Sequence, residues 1–335
     1  MNRPLSPGLG VALFCLSCGG GSRTPATPSA PTPPPPPVAP ANTWSVGGRL
    51  LDTVSGQPVA GAQIAPAWDL AAVTTDSDGS FSLGAVANPP STPYRLSVSS
   101  SGFVPRDVWV TWERGPRSDV TIDAIRDAPP FSMTFYRQFV RGTFDNDGPY
   151  ATLRWIDSPR FYVRTVDQNG RAVEPEVLVV LRDALLRSVP LFTANKLSVA
   201  ALEMGTEPRA AAAGWINVDI RRDPNERRTC GTAFIGANPG RITLMNDVCS
   251  CGSNKIPGTL VMHEVGHALG FFHVPDNRSV MYPFIPGSCP PGELSAAERY
   301  HAGIAYSRPR GNTEPDNDPS SARFVAPTPL ILADR

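Results

Sequence analysis

Apolar residues recur along this chain with two periods, and the change of period divides it. Over residues 44–126 they alternate with polar residues in short runs, such as Phe81-Ser82-Leu83, Tyr94-Arg95-Leu96-Ser97-Val98 and Val108-Trp109-Val110. Gly, Pro and Asp turns separate these runs. Side chains two apart on a strand share a face, so this segment is expected to be an all-β sandwich. After a boundary at 127–130 the pattern mixes. Strands are expected at 161–166, 197–202 and 215–220, followed by a strand, turn and strand over 231–235, 238–240 and 242–244. Helices are expected at 174–189, with Pro175 suited to the first turn, and at 258–269. A last helix is expected to start at Ser295, whose spacing to Glu298 is that of a capping box; Tyr300 and Ile304 share one of its faces. The fold class is therefore α+β behind a separate N-terminal β-sandwich.

The 335 residues leave room for two modest domains plus tails. Residues 18–42 are rich in Pro, Thr, Ala and Ser, cannot build a core and read as an extended spacer. After Arg308 the chain turns polar and proline-rich, so 309–335 is expected to be a disordered tail with Asp316 and Asp318 solvated. Acidic and basic residues balance at thirty each with no long basic run, which argues against a nucleic-acid partner.

Arg3, the apolar stretch 9–16 and Ser17 before Cys18-Gly19 form an export signal over 1–17. This start resembles a bacterial lipoprotein signal, which implies lipidation of Cys18 and a place in the bacterial cell envelope or on its surface. A plain secretion signal and a disordered tail are the alternatives. Any membrane contact would be through this anchor alone, since no other apolar run has spanning length. Cys230, Cys249, Cys251 and Cys289 are an even set in an exported chain and read as two disulfides. Cys249 and Cys251 are too close to pair with each other, so each is expected to take Cys230 or Cys289. A second zinc site at Cys249-Ser250-Cys251 is the rival reading.

Chemistry concentrates in His263-Glu264-Val265-Gly266-His267-Ala268-Leu269-Gly270-Phe271-Phe272-His273. Histidines four apart on a helix share a face and can hold one tetrahedral ion. Gly270 can take the left-handed conformation that ends the helix and turns the chain back, bringing His273 in as third ligand. Such a site leaves one position for water, whose pKa zinc lowers to about 7. Glu264 can take that water's proton and later protonate a leaving amine. Five specified residues at about one in twenty each arise by chance at roughly one start position in three million, so coincidence is a poor account. His301 is expected to be a surface or packing residue rather than a ligand.

Ser279-Val280-Met281-Tyr282-Pro283 follows the third histidine by a short loop. With the histidine motif it resembles the metzincin zinc proteases, and among them the matrixins. In the astacin-like and serralysin-like pattern a zinc-binding tyrosine stands two places after the methionine; that place is Pro283 here, so no tyrosine ligand is expected. The resemblance implies that residues 131–308 form a metzincin-type zinc endopeptidase domain, a twisted mixed sheet plus an active-site helix. Met281 would lie beneath the zinc and Pro283 and Phe284 would line the pocket for the residue after the scissile bond. The strand carrying Thr232, Ala233, Phe234 and Ile235 would be the edge to which an extended protein or peptide substrate adds, an interior strand with no exposed edge being the alternative.

Residues 43–126, through Gly48 to Asp52, Pro58 to Ala62 and Thr75 to Phe81, resemble the carboxypeptidase regulatory-like domain, a transthyretin-like sandwich. Asp76 and Asp78 suggest calcium, but Asp-Gly before a strand is ordinarily a turn, so no calcium is assigned. The rival in function is a non-catalytic cell-surface binding or adhesion protein with a metal-stabilised domain; an exopeptidase is the rival within the enzymes. A cysteine latch on the zinc is not expected, because the only upstream cysteines, Cys15 and Cys18, lie in the signal.

Overall fold

The computed structural model describes residues 44–67, 70–86, 93–110, 115–145, 149–223, 225, 229–246, 248–250, 255–284, 292–316, 318 and 331–333. The export signal, the spacer, Cys18, Cys251 and Cys289 lie outside them. Residues 41–335 group as one compact unit.

The sandwich is present as the alternation requires. One sheet has the order β4-β1-β7, made of Trp44–Asp52 (β1), Ser80–Val86 (β4) and Gly115–Ala124 (β7), with β1 parallel to β7. The other has the order β3-β2-β5-β6, from Gln63–Pro66 (β2), Val73–Thr74 (β3), Tyr94–Ser99 (β5) and Arg106–Val110 (β6). Inward positions such as Leu50, Ile64, Leu83, Leu96 and Ile122 meet in one core. Asp76 and Asp78 bond to Ser80, so they form the expected turn.

The α+β part is a six-stranded mixed sheet under helices. Its order is β13-β11-β12-β10-β8-β9, with Arg160–Arg164 (β8), Ala201–Gly205 (β9), Trp215–Arg221 (β10), Gly231–Phe234 (β11), Gly240–Met245 (β12) and Ile331–Ala333 (β13). Strands β8, β9, β10 and β12 run parallel, while β11 is antiparallel to β12 and to β13. Phe161, Val163, Ile216, Val218, Ile242 and Leu244 alternate onto the covered face and join the core under Pro175–Phe192 (α2) and Gly258–Ala268 (α3). Ala296–Ser307 (α4) begins with the expected capping box at Ser295 and Glu298.

Three features differ from expectation. The strand expected at 197–202 runs over Ala201–Gly205, after a turn in which the amides of Lys196 and Leu197 bond back to Thr193. Met133–Arg141 (α1) was not foreseen, although Ser132 caps its start, Gly142 ends it at φ 68° and Tyr136, Phe139 and Val140 make its buried face. Residues 309–316 and 318 are not a loose tail. Arg308 is 0% exposed and pairs with Asp123, Arg106 pairs with Asp123 and, at 2.5 Å, with Asp318, and Asn312 donates to Asp318 at 3.1 Å. The Asp107 amide donates to the Asp316 carbonyl, and Glu314 pairs with Arg137 and Arg141. Composition marks Asp318 as solvated, but its guanidinium partner, Arg106, lies elsewhere in the chain, and pairing is what lets charge be buried. This clamp joins the sandwich to the α+β part.

Candidate metal centre

Helix α3 carries His263, Glu264 and His267 and stops where the motif requires. Gly270 has φ 107°, and a Cβ there would lie 1.4 Å from the Leu153 carbonyl oxygen, so no side chain fits. The last carbonyls of the helix are not orphaned: Trp155 Nε1 donates to Ala268 O and the Tyr306 hydroxyl to Leu269 O, both at 2.9 Å. Burial pushes the Tyr306 pKa up, so the phenol stays a donor. The chain then turns back, held where the Phe272 amide donates to Phe139 O at 2.8 Å and Phe271 stacks on Phe139 at 4.4 Å. Helix α1 thus sets the position of His273.

The three histidines converge. Their Nε2 atoms lie 3.0 Å (His263 to His267), 3.1 Å (His267 to His273) and 3.3 Å (His263 to His273) apart, and all three rings are buried. Each Nδ1 faces an acceptor: Val280 O at 2.6 Å for His263, Phe271 O at 2.7 Å for His267, and the Asp145 carboxylate for His273. A carbonyl or carboxylate only accepts, so each Nδ1 carries a proton, and Nε2 is the nitrogen each ring can offer to a metal. A tetrahedral zinc with bonds of about 2.0–2.1 Å needs ligand–ligand edges of about 3.3–3.4 Å. The observed triangle is close to that size, so the donor set fits the ion. Outer partners of this kind fix ring orientation and raise ligand basicity.

Glu264 is 0% exposed, and a Cβ added at Gly231 would lie 2.1 Å from its Oε1. The carboxylate therefore occupies space that only glycine leaves open, between the metal helix and the start of β11. Met281 sits under the helix in the same manner, its sulfur 2.5 Å from where a Gly266 Cβ would be. The turn around it is tied down: the Val274 amide donates to Met281 O at 2.9 Å, and Ser279 Oγ donates to Glu298 Oε1 at 2.6 Å.

Other expected residues fall as follows. Thr232, Ala233 and Phe234 lie in β11, and Ile235 directly follows it. Their strand is not an open edge, because β13 pairs along it. Tyr282 packs on Phe284, which is 50% exposed, with Pro283 between them. Cys230 is disulfide-bonded to Cys249, one of the two pairings left open, which removes Cys249 from any zinc site of its own. His301 is a packing residue, bonded to Ala297 O and to the Ser132 backbone and stacked on Phe131; burial lowers its pKa. A cavity of about 680 Å³ on the other face of the sheet, lined by Tyr162, Arg209, Asn217, Asp219 and Arg241, includes none of the three histidines.

Sequence reading missed Asp145 and Gly231 as site residues. Asp145 stands 128 positions before the histidine it supports, with no fixed spacing to mark it. Gly231 betrays its role only once the helix is laid against the strand.

Comparison with known proteins agrees with this layout. Residues 249–304 match the matrixin family, and 45–124 match the carboxypeptidase regulatory-like domain. No curated protein sequence matches. Among solved structures, metalloproteinase-II from Bacteroides fragilis aligns at 12% identity over 77% of this chain and 84% of its own, with a TM-score of 0.32. A cohesin–X-dockerin complex from Acetivibrio cellulolyticus aligns at 13% identity over 24% of this chain, with a TM-score of 0.20. The chain spans 57% of the length of that protein. Similarity at these scores decides neither fold nor activity; the matrixin match over the histidine segment is what supports a metalloprotease.

Proposed function

We propose that residues 131–308 form a zinc-dependent endopeptidase domain that cuts proteins or peptides. The single observation that carries this reading is the convergence of three Nε2 atoms at 3.0–3.3 Å, each ring held by an acceptor on its far nitrogen. His263, His267 and His273 would hold the ion. Bound there, zinc supplies a water that is acidic near neutral pH and a Lewis acid for the carbonyl oxygen of the scissile bond.

Glu264 takes the proton of the attacking water and passes it to the leaving amine. Its place against Gly231 supports that role, since it lies between the metal helix and the strand proposed to align the peptide. The backbone of Thr232 to Ile235 pairs with extended substrate, and Pro283 and Phe284 line the pocket beyond the cut. Met281 fixes the floor beneath the histidines. The chain is exported, anchored through lipidated Cys18 or secreted, and the Cys230–Cys249 disulfide is in keeping with an oxidising compartment.

Cleavage of an internally quenched peptide library by the wild type and by Glu264→Gln, with zinc content measured on both, tests the reading. The variant is expected to keep one zinc and lose about 10²–10⁴-fold in kcat. Equal cleavage by both would remove the mechanism. Zinc binding without cleavage by either would favour the binding-protein alternative, and cuts confined to peptide ends would mark an exopeptidase.

A further inference from the structure

The strand proposed to align substrate already has a partner from this chain. Residues 331–333 run antiparallel to β11, with Thr232 opposite Ala333, Ala233 opposite Leu332 and Phe234 opposite Ile331. On its other side β11 is paired with β12, so β13 covers the one remaining edge. We infer that β13 is an intramolecular occupant of the peptide-binding edge, which a substrate must displace in order to bind. The inference rests on the endopeptidase reading above and concerns the regulation of that same site.

Three observations carry it. First, an edge strand offers a single row of N–H and C=O groups, so β13 and an added peptide compete for the same donors and acceptors. Second, the polarity of β13 is that of a strand heading for the centre. From Ile331 to Ala333 it moves from Phe234 toward Thr232, the residue after Gly231, and Gly231 is where the Glu264 carboxylate lies. A peptide bound in this register would be carried toward Glu264 by its next residues. Third, β13 pairs with Thr232, Ala233 and Phe234, three of the four residues proposed to align the substrate, so strand and substrate exclude each other there.

The sequence suits a weak, displaceable occupant. Leu330-Ile331-Leu332-Ala333 is a short apolar run between Pro329 and Asp334 in a proline-rich region. Ile331 follows Asp318 by thirteen positions, and Asp318 is fastened to Arg106. A tether of that length gives an effective concentration of roughly millimolar, so a short pairing is populated without being tight. Competition of this kind raises KM and leaves kcat alone.

The test uses the full chain loaded with zinc. Ile331→Pro together with Leu332→Pro removes two successive backbone N–H groups, one of which must face β11, so the double variant should release β13 while leaving the histidine motif untouched. Expected is a several-fold lower KM for an internally quenched peptide at unchanged kcat. Faster hydrogen exchange is also expected at the amides of Thr232 to Phe234. A synthetic peptide of residues 328–335 should inhibit the variant competitively. Unchanged KM and exchange, or no competition by that peptide up to millimolar concentration, would overturn the occupant role alone. No cleavage by either chain with zinc bound would instead overturn the endopeptidase reading, and the role with it.

Discussion

Two buried polar clusters in this molecule are built in opposite ways. In the clamp between the sandwich and the α+β part, two guanidiniums, Arg106 and Arg308, meet two carboxylates, Asp123 and Asp318. Their charges cancel within the cluster. In the histidine centre the outer nitrogens are satisfied by Val280, Phe271 and Asp145, while the three inner nitrogens face one another. Three converging imidazole nitrogens of this kind are the donor set of a cation site. Both clusters are conspicuous for buried polarity, so burial alone does not tell a site from a strut. What distinguishes them is whether the charges close within the protein or call for something from outside.

The contrast is open to attack, first through the clamp. Breaking a buried pair from one side leaves charge uncompensated, so Asp123→Asn is expected to destabilise the chain by about 3–5 kcal/mol. Zinc content and kcat of the folded variant should be unchanged, as checked by urea unfolding beside metal analysis. Burial pushes the Asp123 carboxyl up, but Arg308 and Arg106 outweigh it and hold the pKa well below the usual carboxylate range. A carboxyl depressed in the folded state stabilises above its unfolded pKa of about 3.9, and that stability goes as pH falls through the lower folded value. The gap between wild type and variant should therefore be full near neutrality and shrink below about pH 4. A loss of zinc affinity as large as the loss of stability would mean that the two clusters are one.

The second attack is on the metal centre from its outer side. Asp145→Ala removes the acceptor of His273 Nδ1 without touching a ligand. Removal of such a partner commonly weakens metal affinity by about 10–100-fold. Competition with a chelator should show this, with the urea midpoint of the zinc-free chain nearly unmoved. The comparison would fail if the zinc-free chain lost stability instead, because Asp145 would then be a strut like Asp123.

The same contrast explains what could be read in advance. His263, Glu264, His267, Gly270 and His273 are local in sequence, and the geometry of a helix and one left-handed turn determines how they meet. Alternation in residues 44–126 gives the sandwich for a similar reason. What stayed hidden is what depends on distant partners. Asp145 meets His273 only because α1 packs against the returning segment, and Gly231 meets Glu264 only because β11 lies beside α3. Asp318 looks solvated until Arg106 is brought to it by the fold. The pairing of β13 with β11 likewise follows from sheet order, which no local period encodes.

The smallest effect concerns Glu298, which belongs to both kinds of cluster. Its Oε2 accepts from the Ser295 amide at 2.7 Å, closing the cap of α4, and its Oε1 accepts from Ser279 Oγ and, at 3.3 Å, from the Met281 amide. One carboxylate thus starts a helix and holds the turn whose Val280 carbonyl orients His263. Ser295→Ala removes only the cap and should cost about 1 kcal/mol of stability, leaving zinc affinity alone. Glu298→Ala should cost more and, in addition, weaken zinc binding, because Ser279 and Met281 lose their anchor. If the two substitutions proved alike in metal affinity, the turn would be held by its own packing against Gly266. Support for the first histidine would then come from Met281 rather than from charge.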